Sequence, residues 1–178
     1  MELVMSSLIG TNYFEMFGLA PKFTIDLTSL DYSYRRLQTE MHPDRYAAGT
    51  EMEKRLALQL SSNLNDGYRA LKHPSSRAQY LINLAGKKEA GNAVSSAFLM
   101  AQMEWREAIE EARASKNMQA LDALSRRLRH TISAQEKLLA VVLDEQSDFD
   151  LAAQRVNEFR FYEKLQIEID TALDALEN

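Results

Sequence analysis

The sequence predicts an all-α protein made of two modules. Apolar residues recur at helical spacing through most of its 178 residues. Only 6 Gly and 3 Pro occur, too few for a many-stranded chain rich in tight turns. A short Gly-, Lys-, Glu- and Asn-containing stretch at 86–93 parts two sets of helices.

The elements follow in order. Tyr13-Phe14-Glu15-Met16-Phe17 reads as a short apolar helix ended by Gly18 at its C′ position. Pro21 opens a loop, and Asp26 or Thr28 caps a second helix. There Leu30, Tyr34, Leu37 and Met41 form one buried stripe, with Arg35, Gln38, Thr39 and His42 away from it. Pro43 disfavours helical geometry at His42, so this helix stops there. Residues 44–50, including Gly49, read as a loop. A third helix runs over about 51–72 with Leu56, Leu60, Leu64, Tyr68 and Leu71 inward, and His73-Pro74 closes it before a short helix at 75–84.

Three longer helices are expected at about 95–114, 118–143 and 149–176. The middle one carries Leu121, Leu124, Leu128, Ile132, Gln135, Leu139 and Val142, spaced three or four apart as in a small antiparallel bundle.

Composition excludes several functions. The net charge of −5 argues against a general nucleic-acid binder. With no cysteine, disulfides, thiolate metal sites and thiol nucleophiles are ruled out, and His42, His73 and His130 lack ligand spacing. No metal and no cofactor are therefore expected. The N-terminus is mildly apolar but acidic, with its first positive charge at Lys22, unlike a secretory or transit segment. No apolar run approaches the roughly 20 residues that span a bilayer. The expected location is the cytoplasm, without membrane contact.

His42-Pro43-Asp44 is the first motif with functional content. On its own, Pro43 could simply end a helix and Asp44 solvate the turn. As a docking element, the proline would make a stiff corner that holds an imidazole and a carboxylate outward, which lowers the entropy lost on binding. A carboxylate so held suits a bidentate arginine. A catalytic role for His42 lacks a serine, cysteine or second acid placed to act with it.

The motif has company: Tyr13-Phe14-Glu15-Met16-Phe17-Gly18-Leu19 upstream, then Asn65-Asp66-Gly67-Tyr68-Arg69-Ala70-Leu71, Pro74, Arg77 and Tyr80 downstream. In order and spacing this constellation resembles the J domain, from about residue 12 to 84. The resemblance implies that His42, Pro43 and Asp44 trigger ATP hydrolysis on a DnaK-like chaperone, with Arg35, Arg36 and Arg45 as a basic docking face. Many relatives have lysine where this chain has Arg45. Asp26, Asp31 and Glu40 share the helix, so the arginines could instead be merely solvated.

The first helix of the second module has two apolar faces. At about 100° per residue, Phe98, Ala101, Trp105, Ile109 and Ala112 fall on one side. Leu99, Met100 and Met103 fall on the other, with Glu104 and Glu107. Such a patch marks an interaction site or a face buried against the J domain or a second copy. Ala97-Phe98-Leu99-Met100, Gln102-Met103-Glu104-Trp105-Arg106-Glu107 and Phe159-Arg160-Phe161-Tyr162-Glu163-Lys164-Leu165 resemble the HscB family, J-type co-chaperones of iron–sulfur cluster assembly.

This second resemblance covers all but the first eleven or so residues. It implies an L-shaped co-chaperone, not an enzyme: a J domain at 12–84, a linker at 85–94 and a three-helix bundle at 95–178. The bundle would bind an IscU-type iron–sulfur scaffold through Leu99, Met100, Met103, Glu104, Glu107 and Phe161 and deliver it to an HscA-type chaperone. Leucine is frequent in the family where this chain has Met103. Eukaryotic members with an N-terminal cysteine-pair module differ from this chain, which points to the bacterial form. A monomer is expected. The rivals are a J-domain co-chaperone serving another client and a structural dimer that buries Leu99, Met100 and Met103.

Overall fold

Why the first turns form where they do is visible in their caps. The computed structural model describes residues 10–87 and 95–177, so residues 88–94 of the expected linker lie outside the described residues. Helix α1 (Tyr13–Phe17) is closed by a capping box: Asn12 Oδ1 accepts the Glu15 N–H at 3.0 Å, and Glu15 Oε2 accepts the Asn12 N–H at 3.4 Å. Gly18 ends it at φ 69, a left-handed conformation costly for other residues. Of the two expected caps for α2 (Leu27–Glu40), Asp26 serves, accepting the Thr28 N–H at 2.9 Å.

A 3-10 turn, Pro43–Tyr46, occupies part of the segment expected to be loop. Pro43 at the first turn position presets φ, and buried Tyr46 ties the other end of the turn to the core. Helix α3 (Glu51–Lys72) starts from a second capping box, Thr50 with Glu53. His73 is extended (ψ 130) as a residue before proline should be, and α4 (Pro74–Leu84) begins at that proline.

The chain divides into two compact units, Met1–Leu81 and Ile82–Asn178, a division that falls inside α4. In the first, Phe14, Phe17, Leu30, Leu37, Met41, Leu60, Leu64 and Leu71 are buried. Tyr34, Leu56 and Tyr68 of the expected stripes are only half-buried, and the two tyrosine rings stack with centroids 4.1 Å apart. The Tyr34 hydroxyl donates to Asn65 Oδ1 at 2.8 Å. Beside them Asp31 of α2 accepts from Lys72 Nζ at 2.6 Å and from the Tyr68 hydroxyl at 3.0 Å. The Lys72 contact holds the Asp31 carboxyl below its ordinary range, and the same contact pushes the Lys72 ammonium up.

Two further details fix α1 and α4. Gly67 lets α1 approach α3: a Cβ there would lie 2.8 Å from Tyr13 Cδ1. Arg77 is buried and donates to the carbonyls of Phe23 and Leu71, each at 2.6 Å, so it satisfies a carbonyl that the end of α3 leaves open.

The second unit holds α5 (Ser96–Ala114), α6 (Met118–Ala140) and α7 (Phe149–Glu177), with a π-helical segment, Val141–Glu145, ending α6. Ser95 and Asn117 cap α5 and α6. Phe98, Trp105, Ile109, Leu128, Tyr162, Leu165 and Ile169 form the shared core, and Ala112, Leu121 and Ala172 close one end. Ala101, expected inward, is half-buried, and so are Leu151 and Leu173 of α7. Instead α7 buries Ala152, Ala153, Val156 and Phe159 ahead of Tyr162.

Candidate binding surfaces

The first surface is built by the end of α2. His42 leaves the helix at ψ 127, and Pro43 carries the chain into the 3-10 turn. Two contacts fasten that turn to the open carbonyls of α2: the Tyr46 hydroxyl donates to Glu40 O at 3.3 Å, and Arg45 Nη1 donates to Thr39 O at 3.4 Å. Tyr46 is buried, so the turn has an anchor in the core. His42 Nδ1 accepts the Asp44 N–H at 3.3 Å, with the Asp44 carboxylate 3.6 Å away. The imidazole is 53% and the Asp44 side chain 89% exposed, which leaves most of both free to meet a partner.

The three arginines are also exposed, but they are not equivalent. Arg36 pairs with Glu40 at 3.2 Å, an exposed pair of the kind that exchanges at little cost. Arg45 is tied to Thr39, and Arg35 forms no ion pair among the described residues. Sequence reasoning passed over Tyr32, which is 70% exposed within a helical turn of both Arg35 and Arg36. Its signal was present: an aromatic off the Leu30–Leu37 stripe.

The second surface lies on α5. Phe98, Trp105, Ile109 and Ala112 are packed into the core, whereas Leu99, Met100 and Met103 are 49%, 64% and 62% exposed. Glu104 and Glu107 are exposed beside them. Exposed Glu110 and Glu111 extend the same outer face, so it changes from apolar to acidic along the helix. Phe161 of α7 is half-buried, its ring edge-on to Phe98 with centroids 5.5 Å apart. That contact brings Phe161 to the helix that carries the other five predicted residues.

Among the described residues no group of three or more His, Asp or Glu is arranged to hold a metal ion. A hollow of about 430 Å³ runs along α5 and α6 past Ala108, Ala112, Ala120 and Leu124, with no converging titratable set.

A family model described as "HSCB C-terminal oligomerisation domain" matches residues 94–170. The co-chaperone protein HscB homolog of Azoarcus sp. (strain BH72) is 46% identical over 170 residues, covering 94% of this chain and 96% of that one. The homolog from Aromatoleum aromaticum is 46% identical over 177 residues, covering 97% and 99%. Chaperone HscB from Vibrio cholerae superposes with a TM-score of 0.86 at 34% identity, over 93% of this chain and 99% of that one. Human co-chaperone protein HscB shares the fold, with a TM-score of 0.84 at 24% identity over 92% and 82%.

An all-α chain with an outward His-Pro-Asp corner on one unit and a helical bundle as the other is a J-type co-chaperone, a class whose role is not enzymatic. This chain belongs to the HscB family, the J-type co-chaperones of iron–sulfur cluster assembly.

Proposed function

We propose that this chain couples two partners: an IscU-type scaffold held by the bundle at 95–178, and an HscA-type chaperone engaged by the J domain at 12–84 across a linker at 85–94. His42, Pro43 and Asp44 stimulate the chaperone's ATPase, with Arg35, Arg36 and Arg45 meeting its acidic surface. Leu99, Met100, Met103, Glu104, Glu107 and Phe161 contact the scaffold. Tethering raises the effective concentration of scaffold at the chaperone's client site. The working form is a monomer in the bacterial cytoplasm; no described helix is long and apolar enough to cross a membrane.

The observation that carries the scaffold reading is the outer face of α5. Three large apolar side chains, two of them adaptable methionines, stand about half or more exposed on a helix whose other face already buries Phe98, Trp105, Ile109 and Ala112. Calorimetric titration of the chain with an IscU-type scaffold tests it. Binding that falls about tenfold or more with Leu99→Ala and Met103→Ala supports the reading, each truncation removing apolar contact worth roughly a kcal/mol. Unaltered affinity in that double variant refutes the placement.

A second reading rests on the family model's description, which names oligomerisation. In it a second copy covers Leu99, Met100 and Met103. Sedimentation at micromolar concentration separates the two, because a dimer dissociated by Met103→Glu would assign that face to self-association.

A further inference from the structure

Helix α6 carries a row of basic residues that neither surface uses. Arg126, Arg129, His130 and Lys137 are all exposed, and at 100° per residue they fall on one side, opposite buried Leu121, Leu128 and Leu139. Arg126, Arg129 and His130, with Ser133, line a shallow hollow of about 350 Å³. Among the described residues none of these four side chains forms an ion pair. Arg127 on the next face is accounted for, its guanidinium lying over the Trp105 ring at 4.6 Å.

An ordinary structural role accounts only for Lys137, which lies in the last turn of the helix. Arg126, Arg129 and His130 sit in the middle of a 23-residue helix, out of reach of the negative charge at its C-terminal end. Arg126 and Arg129 are three apart, a spacing at which like charges repel and weaken the helix. Asp122, four residues before Arg126, is in position for a compensating pair, and among the described residues that pair does not form. A chain of net charge −5 thus keeps an uncompensated positive strip on one helix.

We propose that this strip docks an acidic helical segment of a partner protein. From Arg126 to Lys137 it is roughly 16 Å long at 1.5 Å per residue, and it is one helix wide. A helix with carboxylates three and four apart matches that row turn for turn, and arginine and carboxylate favour paired hydrogen bonds. A nucleic-acid duplex or a bilayer would meet the strip on a broader front, bringing Asp122, Glu136 and the net negative charge of the chain against it.

The test is a titration of the full isotope-labelled chain with a synthetic helical peptide bearing glutamates three and four apart, read by backbone amide shifts. The expected result is shifts concentrated at 122–137, binding weakened roughly fivefold or more in Arg126→Glu with Arg129→Glu, and no binding by a peptide with glutamine throughout. Retained binding in Arg129→Lys and an unchanged helical circular dichroism spectrum would show that charge, and not misfolding, is responsible. Shifts confined to the Arg35, Arg36 and Arg45 face would overturn the proposal, as would equal binding of the glutamine peptide. Tighter capture of duplex DNA or anionic vesicles through Arg126 and Arg129 would likewise overturn it.

Discussion

The His42 imidazole turns back across Pro43 so that its Nδ1 accepts the backbone N–H of Asp44 at 3.3 Å. The ring is thereby held near one orientation while about half of its surface stays open. Pro43 fixes the corner, and buried Tyr46 anchors its far side. Pro43→Ala should leave thermal unfolding within about 0.5 kcal/mol of the parent, as a surface change does. The concentration of this chain that half-saturates stimulation of an HscA-type ATPase should rise several-fold, because a loose corner loses more entropy on binding. Titration of the stimulated rate checks it.

Along α5 the acidic half should set the rate of encounter and the apolar half its persistence. Glu104→Gln with Glu107→Gln is expected to slow association with the scaffold and flatten its dependence on salt, with a smaller effect on dissociation. Stopped-flow kinetics at two ionic strengths would show it.

Gly67 is a packing requirement. Its Cβ would fall 2.8 Å from Tyr13 Cδ1 and 3.2 Å from Phe17 Cε2, and Tyr13 cannot retreat freely while stacked on Tyr80 at 4.6 Å. Gly67→Ala should cost about 1–3 kcal/mol in urea unfolding despite alanine's better helix propensity.

The Asp31–Lys72 pair joins α2 to α3 and implies a pH dependence. Its folded carboxyl titrates below the unfolded value of about 3.9. The pair therefore contributes stability above that pH and loses it as pH falls through the folded value. Lys72, shifted upward, keeps its contribution until pH rises through its folded value, above about 10.4. Asp31→Asn should reduce the loss of stability between about pH 5 and 2. Some slope should persist from the caps Asp26 and Glu53, whose carboxyls are also lowered by hydrogen bonds. Urea midpoints across that range measure it.

Much of this was legible in the sequence where large apolar residues set the period. Leu30, Leu37 and Met41, or Leu121, Leu128 and Leu139, are buried as spacing requires. On α7 the inward residues include Ala152, Ala153 and Ala172, too small to stand out beside Leu151 and Leu173, which end half-buried. The π segment at Val141–Glu145 was invisible for another reason: Leu139 and Val142 are buried on either side of its start, so the stripe shows no break. The turn at Pro43–Tyr46 depends on Tyr46 reaching the core, a contact no local pattern shows. The exposure of Leu99, Met100 and Met103 was legible from the helix angle, because Phe98 and Trp105 already claimed the inner face.

The central claim is coupling, and the steady-state ATPase rate of an HscA-type chaperone tests it most directly, measured with this chain, with the scaffold and with both. The pair should stimulate more than the two separate effects combined, and His42→Gln should abolish that synergy while scaffold binding and fold persist. Stimulation by this chain that the scaffold does not enhance, or synergy that survives His42→Gln, would contradict the account.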